Sequence, residues 1–208
     1  MDNLEYRQWK PPVDTALPDL HGCFDDLLSA KDFAERLVTE LNAHAPDPVL
    51  IDALATAVLI RYCRCFTTGV RSRLTPEDCP LLSEDDKRLH DRLRAIRNWH
   101  VAHPVNLQEV QVLYVGFDPD PNATTGVLGI QATSTTHLPI NSHESEAVAK
   151  LCETWLEWLR QRVSEEQLRI RPHAESLTRQ ELLSLPSSTA EPNPDLSARR
   201  RQRPKSAA

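Results

Sequence analysis

The stretch DPVLIDALATAVLIRYCRCFTTG, residues 47–69, decides how the rest of the chain is read. Asp47 offers an acceptor at an N-cap, Pro48 fits the first helical position, and Gly69 offers a stop. Between them Leu50, Ile51, Leu54, Ala55, Ala57, Val58 and Tyr62 leave little polar surface. A helix that is apolar around most of its circumference has to be surrounded, so this one is expected at the centre of a bundle.

The segments on either side supply the surrounding elements. Upstream, DDLLSAKDFAERLVTELNAHA (25–45) repeats Leu27, Leu28, Phe33, Leu37, Val38 and Leu41 at helical spacing, with Ser29 as a cap or an interruption. Residues 1–20 hold Pro11, Pro12 and Pro18 and read as an irregular arm. Downstream, SEDDKRLHDRLRAIRNWH (83–100) opens with the capping-box pair Ser83 and Asp86 and is expected to run to Pro104. The period then changes to two. EVQVLYVGF and GVLGIQATSTT alternate on either side of the turn-rich DPDPNATTG, which predicts a hairpin at about 108–135. The last helix, HESEAVAKLCETWLEWLRQRV, places Val148, Leu151, Cys152, Trp155, Leu159 and Val163 on its inner stripe. Residues 171–208 turn to Pro, Ser, Ala and charge and end in RRRQRPK; they read as a disordered, basic-ended tail, dispensable for folding from about residue 173. The expected fold is all-α with a small β-hairpin, an up-and-down four-helix bundle over residues 21–170.

Composition narrows the function classes. The 208 residues are 40% apolar and 26% charged, ordinary for one globular domain with a tail. No apolar run approaches the ~18 residues of a membrane span, and MDNLEYRQWK lacks signal-peptide shape. Cys23, Cys63, Cys65, Cys79 and Cys152 follow no framework spacing, which fits reduced thiols and a cytoplasmic setting. With five glycines and none after Gly129, neither GxGxxG nor a P-loop is present, and no nucleotide cofactor is expected. The net charge of -6 divides into +3 over residues 171–208 and -9 over 1–170. An acidic body does not draw nucleic acid through its overall field. A local patch can, and residues 61–97 hold nine Lys/Arg against six Asp/Glu.

Chemistry concentrates in LRAIRNWHVAHP (93–104). Leu89, Leu93, Ile96, His100 and His103 follow at alternating steps of four and three, so both histidines share the leucine stripe. Arg97-Asn98 with His103 after five intervening residues resembles the RX4-6H motif of the HEPN superfamily. Its "RN…AH" form, followed by a hairpin and a Trp-bearing helix, is most similar to the abortive-infection-type HEPN domain proteins, over roughly residues 25–165. Arg94 stands at the same distance before His100.

That resemblance implies a metal-independent endoribonuclease of a toxin–antitoxin or phage-defence system, without metal or other cofactor. RNA would be its substrate, a homodimer its active form and an antitoxin protein a possible partner. Arg97, His103, Asn98 and His100 would be its catalytic residues. Such cleavage needs a base for the 2′-OH, an acid for the leaving 5′-oxygen and positive charge at the phosphorane. Histidine suits proton transfer near neutrality, and arginine holds phosphate in a fixed fork. On a helix, positions 97 and 103 lie about 9 Å apart along the axis and on different faces. A cleft composed from two copies of the motif resolves that geometry.

Each residue also has a plainer reading. His100 and His103 equally suit hydrogen-bonded core or interface positions, and Arg97 suits a helix end. Cys63 and Cys65 point roughly 160° apart on a helix, which disfavours a shared metal. Trp155 and Trp158 suit packing, and Glu84, Asp85 and Asp86 suit the dipole of their helix N-terminus. The alternative function is a non-catalytic HEPN-like helical module that binds a partner protein or nucleotide.

Overall fold

The structure is a computed structural model that describes residues 6–67, 73–98, 109–119, 126–136 and 140–187. Its elements are α1 (Leu17–Leu41), α2 (Pro48–Arg64), a 3-10 turn at Pro76–Asp78, α3 (Glu84–Ile96), β1 (Glu109–Phe117), β2 (Val127–Thr136), α4 (Ser142–Glu175) and α5 (Arg179–Ser184). The chain is therefore mostly helical with one small antiparallel sheet.

Helix α1 is the spine, packed along both α4 and α2. Its inner face is Leu20, Cys23, Leu27, Ala30, Ala34 and Leu37, all buried. Small residues every third or fourth position let the neighbouring helices approach closely. Two contacts fix α1 antiparallel to α4. Thr15 Oγ1 donates to Glu166 Oε1 at 2.6 Å near one end, and Asn42 Nδ2 donates to Ser142 Oγ at 3.2 Å near the other. Ala16 caps α1 without a side-chain acceptor, and the Glu166 carboxylate takes that place by accepting from the Ala16 N–H at 3.0 Å. Arg169, then Thr15, hold the Glu166 carboxyl down to about 2.

Helix α2 begins as its sequence suggests, with the Asp47 carboxylate accepting from the Val49 and Leu50 N–H groups. It returns along α1. Leu37 meets Ile51, Leu54 and Ala55 near the turn, and at the other end the buried Asp26 carboxylate receives Arg61 Nη1 at 2.8 Å and Arg64 Nε at 3.4 Å. Ile51, Leu54, Ala55, Val58, Leu59, Tyr62 and Cys63 are buried, but α2 packs chiefly along α1 and leaves Val49 and Ile60 exposed, so α1 holds the central place that the composition of α2 suggested for α2.

Several boundaries differ from expectation. Helix α1 starts at Leu17, inside the stretch read as an arm, because Pro18 falls in its first turn where no N–H is needed. Ser29 does not interrupt it; its hydroxyl donates back to the Asp25 carbonyl at 2.9 Å. Helix α2 ends at Arg64, and Gly69 lies outside the described residues, as does Pro104. The order that sequence composition ends near residue 171 continues further. Helix α4 carries Pro172 within its last turns and α5 follows, opened by a Thr178–Glu181 capping box. The Arg7 guanidinium donates to the Leu183 and Leu185 carbonyls at 3.3 and 2.9 Å, and the Gln8 N–H donates to the Pro186 carbonyl at 2.8 Å. Residues 188–208, with RRRQRPK, lie outside the described residues.

The segment around α5 is thus clasped to the N-terminal arm. Truncation after Pro172 removes the Arg7 and Gln8 partners, each net contact contributing about 1 kcal/mol. The thermal midpoint should fall by about 3–8 °C in calorimetry, whereas truncation after Ser187 should leave this clasp and the midpoint in place.

Candidate functional site

The site to be judged is the end of α3. Its start is built as the sequence predicts: Ser83 Oγ accepts from the Asp86 N–H at 3.2 Å, and Asp86 Oδ2 accepts from the Ser83 N–H at 3.0 Å. Glu84 and Asp85 pair with Lys87 and Arg88, one turn on, so the acidic run serves the helix itself. Further along, Arg92 reaches Glu144 of α4 at 2.6 Å.

A buried side-chain pair attaches α3 to the core. The Tyr62 hydroxyl and His90 Nδ1 share a hydrogen bond of 2.9 Å, and both side chains are fully buried. The Phe66 ring stands edge-on to His90, at 4.5 Å between centroids, and 5.1 Å from Trp155. Leu93 lies one turn beyond, buried, with its carbonyl facing the Cys63 thiol. Burial, and then the positive Arg94, holds the His90 imidazole below its ordinary range. Burial likewise raises the Tyr62 phenol and Cys152, and lifts Cys63 to about 11 against the opposing charges of Arg97 and Arg94. All five thiols are buried, so none is poised as a nucleophile. Trp155 and Trp158 are in the core, as packing requires.

Beyond Ile96 the helix widens into a π-type turn at Arg97 and Asn98. Arg97 is half-buried, Asn98 is exposed, and Arg97 Nη1 donates to Asn98 Oδ1 at 3.1 Å. That bond leaves four of the five guanidinium N–H groups for other acceptors. Among the described residues, Arg94 and Arg97 have no carboxylate within ion-pair distance, although Lys87, Arg88 and Arg92 on the same helix each have one. Both lower the Cys63 thiol against its burial, and, three residues apart along the helix, they stand on neighbouring positions of one face.

Of the four predicted site residues, the structure brings Arg97 and Asn98 together. His100 and His103 lie outside the described residues. The histidine that sequence reading passed over is His90. Its signal was its place one residue after Leu89 and three before Leu93, at the edge of the apolar stripe. Full burial assigns it to the core. Among the described residues no group of His, Cys, Asp or Glu could hold a metal ion, and no helix is long and apolar enough to cross a membrane. No protein-family model, curated protein or solved structure matches the chain.

The neutral, buried His90 makes stability depend on pH. Its folded pKa lies below the unfolded value of about 6.5. The unfolded chain therefore binds more protons between the two values, and the stability from neutral His90 is complete above about pH 6.5 and lost as pH falls through the folded pKa. His90→Leu leaves the Tyr62 hydroxyl without its partner and should cost about 1–3 kcal/mol in urea unfolding at pH 8. The gap between wild type and variant should narrow as pH drops below about 6.5.

Proposed function

We propose that the chain is a metal-independent endoribonuclease of HEPN type, a four-helix bundle acting as a homodimer in toxin–antitoxin or phage-defence RNA cleavage. The observation that carries this reading is the pair Arg94 and Arg97, which among the described residues have no carboxylate within ion-pair distance, where Lys87, Arg88 and Arg92 each have one. In an acidic chain, uncompensated guanidinium groups at one corner are suited to phosphate. Asn98 supports the reading because its carbonyl holds the Arg97 fork in one orientation. It acts on phosphate through Arg97, as a positioning residue.

In this mechanism His103 moves the proton between the ribose 2′-OH and the leaving 5′-oxygen, with His100 as the second proton carrier. Arg97 lies on the phosphorane, where charge accumulates in the transition state. Six residues apart, positions 97 and 103 on a continuous helix would lie about 9 Å apart along its axis and on different faces, so the copies from two protomers complete each other's site. The acidic body, -9 over residues 1–170, favours the second reading, a helical module that binds a partner protein or nucleotide and leaves RNA intact.

Purified protein incubated with bulk RNA in EDTA should yield 2′,3′-cyclic phosphate ends. His103→Ala should lower the rate by about 10²–10⁴-fold while helical circular dichroism persists. Arg97→Lys should lose most activity too, since an ammonium keeps the charge without the fork. Wild type inert on RNA would support the binding module; cleavage unchanged in both variants would move the site away from residues 97–103.

A further inference from the structure

Helix α3 is the least embedded of the long helices. Of its 13 residues two are buried, His90 and Leu93, with Leu89 and Ile96 packed at the edge of the core. Its ion pair across to α4, Arg92 with Glu144, joins partly exposed side chains and adds little. A helix of this length is marginal in water on its own. The segment leading into it is anchored separately, by the buried Leu74, Cys79 and Leu82. The His90 imidazole sits where its neutral form alone is satisfied. Its Nδ1 meets the Tyr62 hydroxyl at 2.9 Å, and its buried Nε2 has no hydrogen-bond partner among the described residues. Phe66 stands edge-on to the ring, with Trp155 of α4 behind it. The charged groups acting on it are Arg94 and Asp91 of α3 and Glu77 of the 3-10 turn, all exposed. Near the Tyr62 phenol, the Cys63 and Cys152 thiols are raised by burial, and Cys65 by its contact with Cys23 and then by burial, so all three stay neutral.

We propose that α3 is an acid-released element: when His90 takes up a proton, the helix leaves the helical body and the Arg94–Arg97 pair loses its fixed place. Either neutral tautomer keeps the Tyr62 bond, by accepting from the hydroxyl or by donating to it. The imidazolium makes both ring nitrogens donors, so Nε2–H brings positive charge into a buried place without an acceptor. Detachment of α3 hydrates that charge and the Tyr62 hydroxyl together. Unfolding the whole body would also expose the larger apolar surface among α1, α2 and α4, so release of α3 alone is the smaller change. A hydrated imidazole binds its proton near pH 6.5, and the docked ring binds it less readily. Docking is therefore complete above about pH 6.5 and weakens as pH falls. The release is a property of the fold and stands without the nuclease reading; its effect on phosphate rests on that reading.

Hydrogen exchange of the full chain, read peptide by peptide in a mass spectrometer at about pH 7.5 and 5.5, tests it; carboxylates of ordinary pKa stay ionised over that range. Expressed as protection factors, the data are free of the intrinsic pH dependence of amide exchange. Peptides of α3 should be less protected than those of α1 and α4 at both pH values, because α3 opens without the rest. Their protection should fall further at the lower pH, by up to about 10-fold, the ceiling for one imidazole of pKa about 6.5. His90→Asn keeps a neutral hydrogen-bonding group toward Tyr62 and should remove the pH dependence, with His90→Gln in its place if α3 does not dock in that variant. Protection of α3 equal to that of α1, or indifferent to pH in wild type, overturns the proposal. So does a pH dependence that persists with α3 docked on asparagine or glutamine. Acid release in a protein that leaves RNA intact would uphold the proposal while removing the nuclease reading.

Discussion

Helix α3 is held in place by the hydrogen bond between the Tyr62 hydroxyl and His90 Nδ1, with the ring of Phe66 alongside. Most of the helix is polar, and its strong anchors in the core are His90 and Leu93. A hydrogen bond this far from water is costly to leave half-made, because either partner alone becomes a buried unpaired polar group. It therefore fixes the rotation of α3 about its own axis. Arg94 and Arg97 follow His90 by four and seven residues, so the same rotation decides where their guanidinium groups emerge. The candidate site inherits its geometry from a core contact that takes no part in chemistry.

Charge is distributed so that this corner differs from its surroundings. Arg61 and Arg64 are drawn onto the buried Asp26 carboxylate, which ties the end of α2 to α1. Lys31, Arg160, Arg162, Arg169 and Arg171 are each paired with a glutamate on their own helix. Exposed pairs of that kind add little stability, but they do cancel local field. What they leave uncancelled at the end of α3, among the described residues, matters more there than the net charge of the whole. An acidic chain can in this way keep one positive corner without a generally basic surface.

Much of the helical frame was legible because its signals are local. Asp47-Pro48 and Ser83 with Asp86 each mark a helix start through atoms that meet within three residues, and the structure places both caps as read. The hairpin followed from strict alternation, and its strands run Glu109–Phe117 and Val127–Thr136. What escaped was decided at long range. The start of α1 depends on Glu166 reaching across from α4, some 150 residues away, to cap a helix whose own N-cap is an alanine. Order after residue 171 depends on Arg7, at the other end of the chain. His90 escaped for a different reason, since a histidine beside a leucine stripe is ambiguous until Tyr62 is opposite it. At the site, the Arg97-Asn98 adjacency was readable, while the absence of an ion-pair partner for Arg94 and Arg97 among the described residues is a property of the assembled surface alone.

That the Arg94–Arg97 corner holds phosphate is tested most directly by the affinity for a 2′-O-methyl RNA oligomer, which cannot be cleaved. Titrated across salt concentrations, binding should weaken linearly on a log–log scale. Arg94→Ala and Arg97→Ala should each flatten the slope by about 0.7, the counterion release of one single-strand phosphate contact. Slopes unchanged in both variants, or a wild type that does not bind the oligomer at low salt, would contradict it.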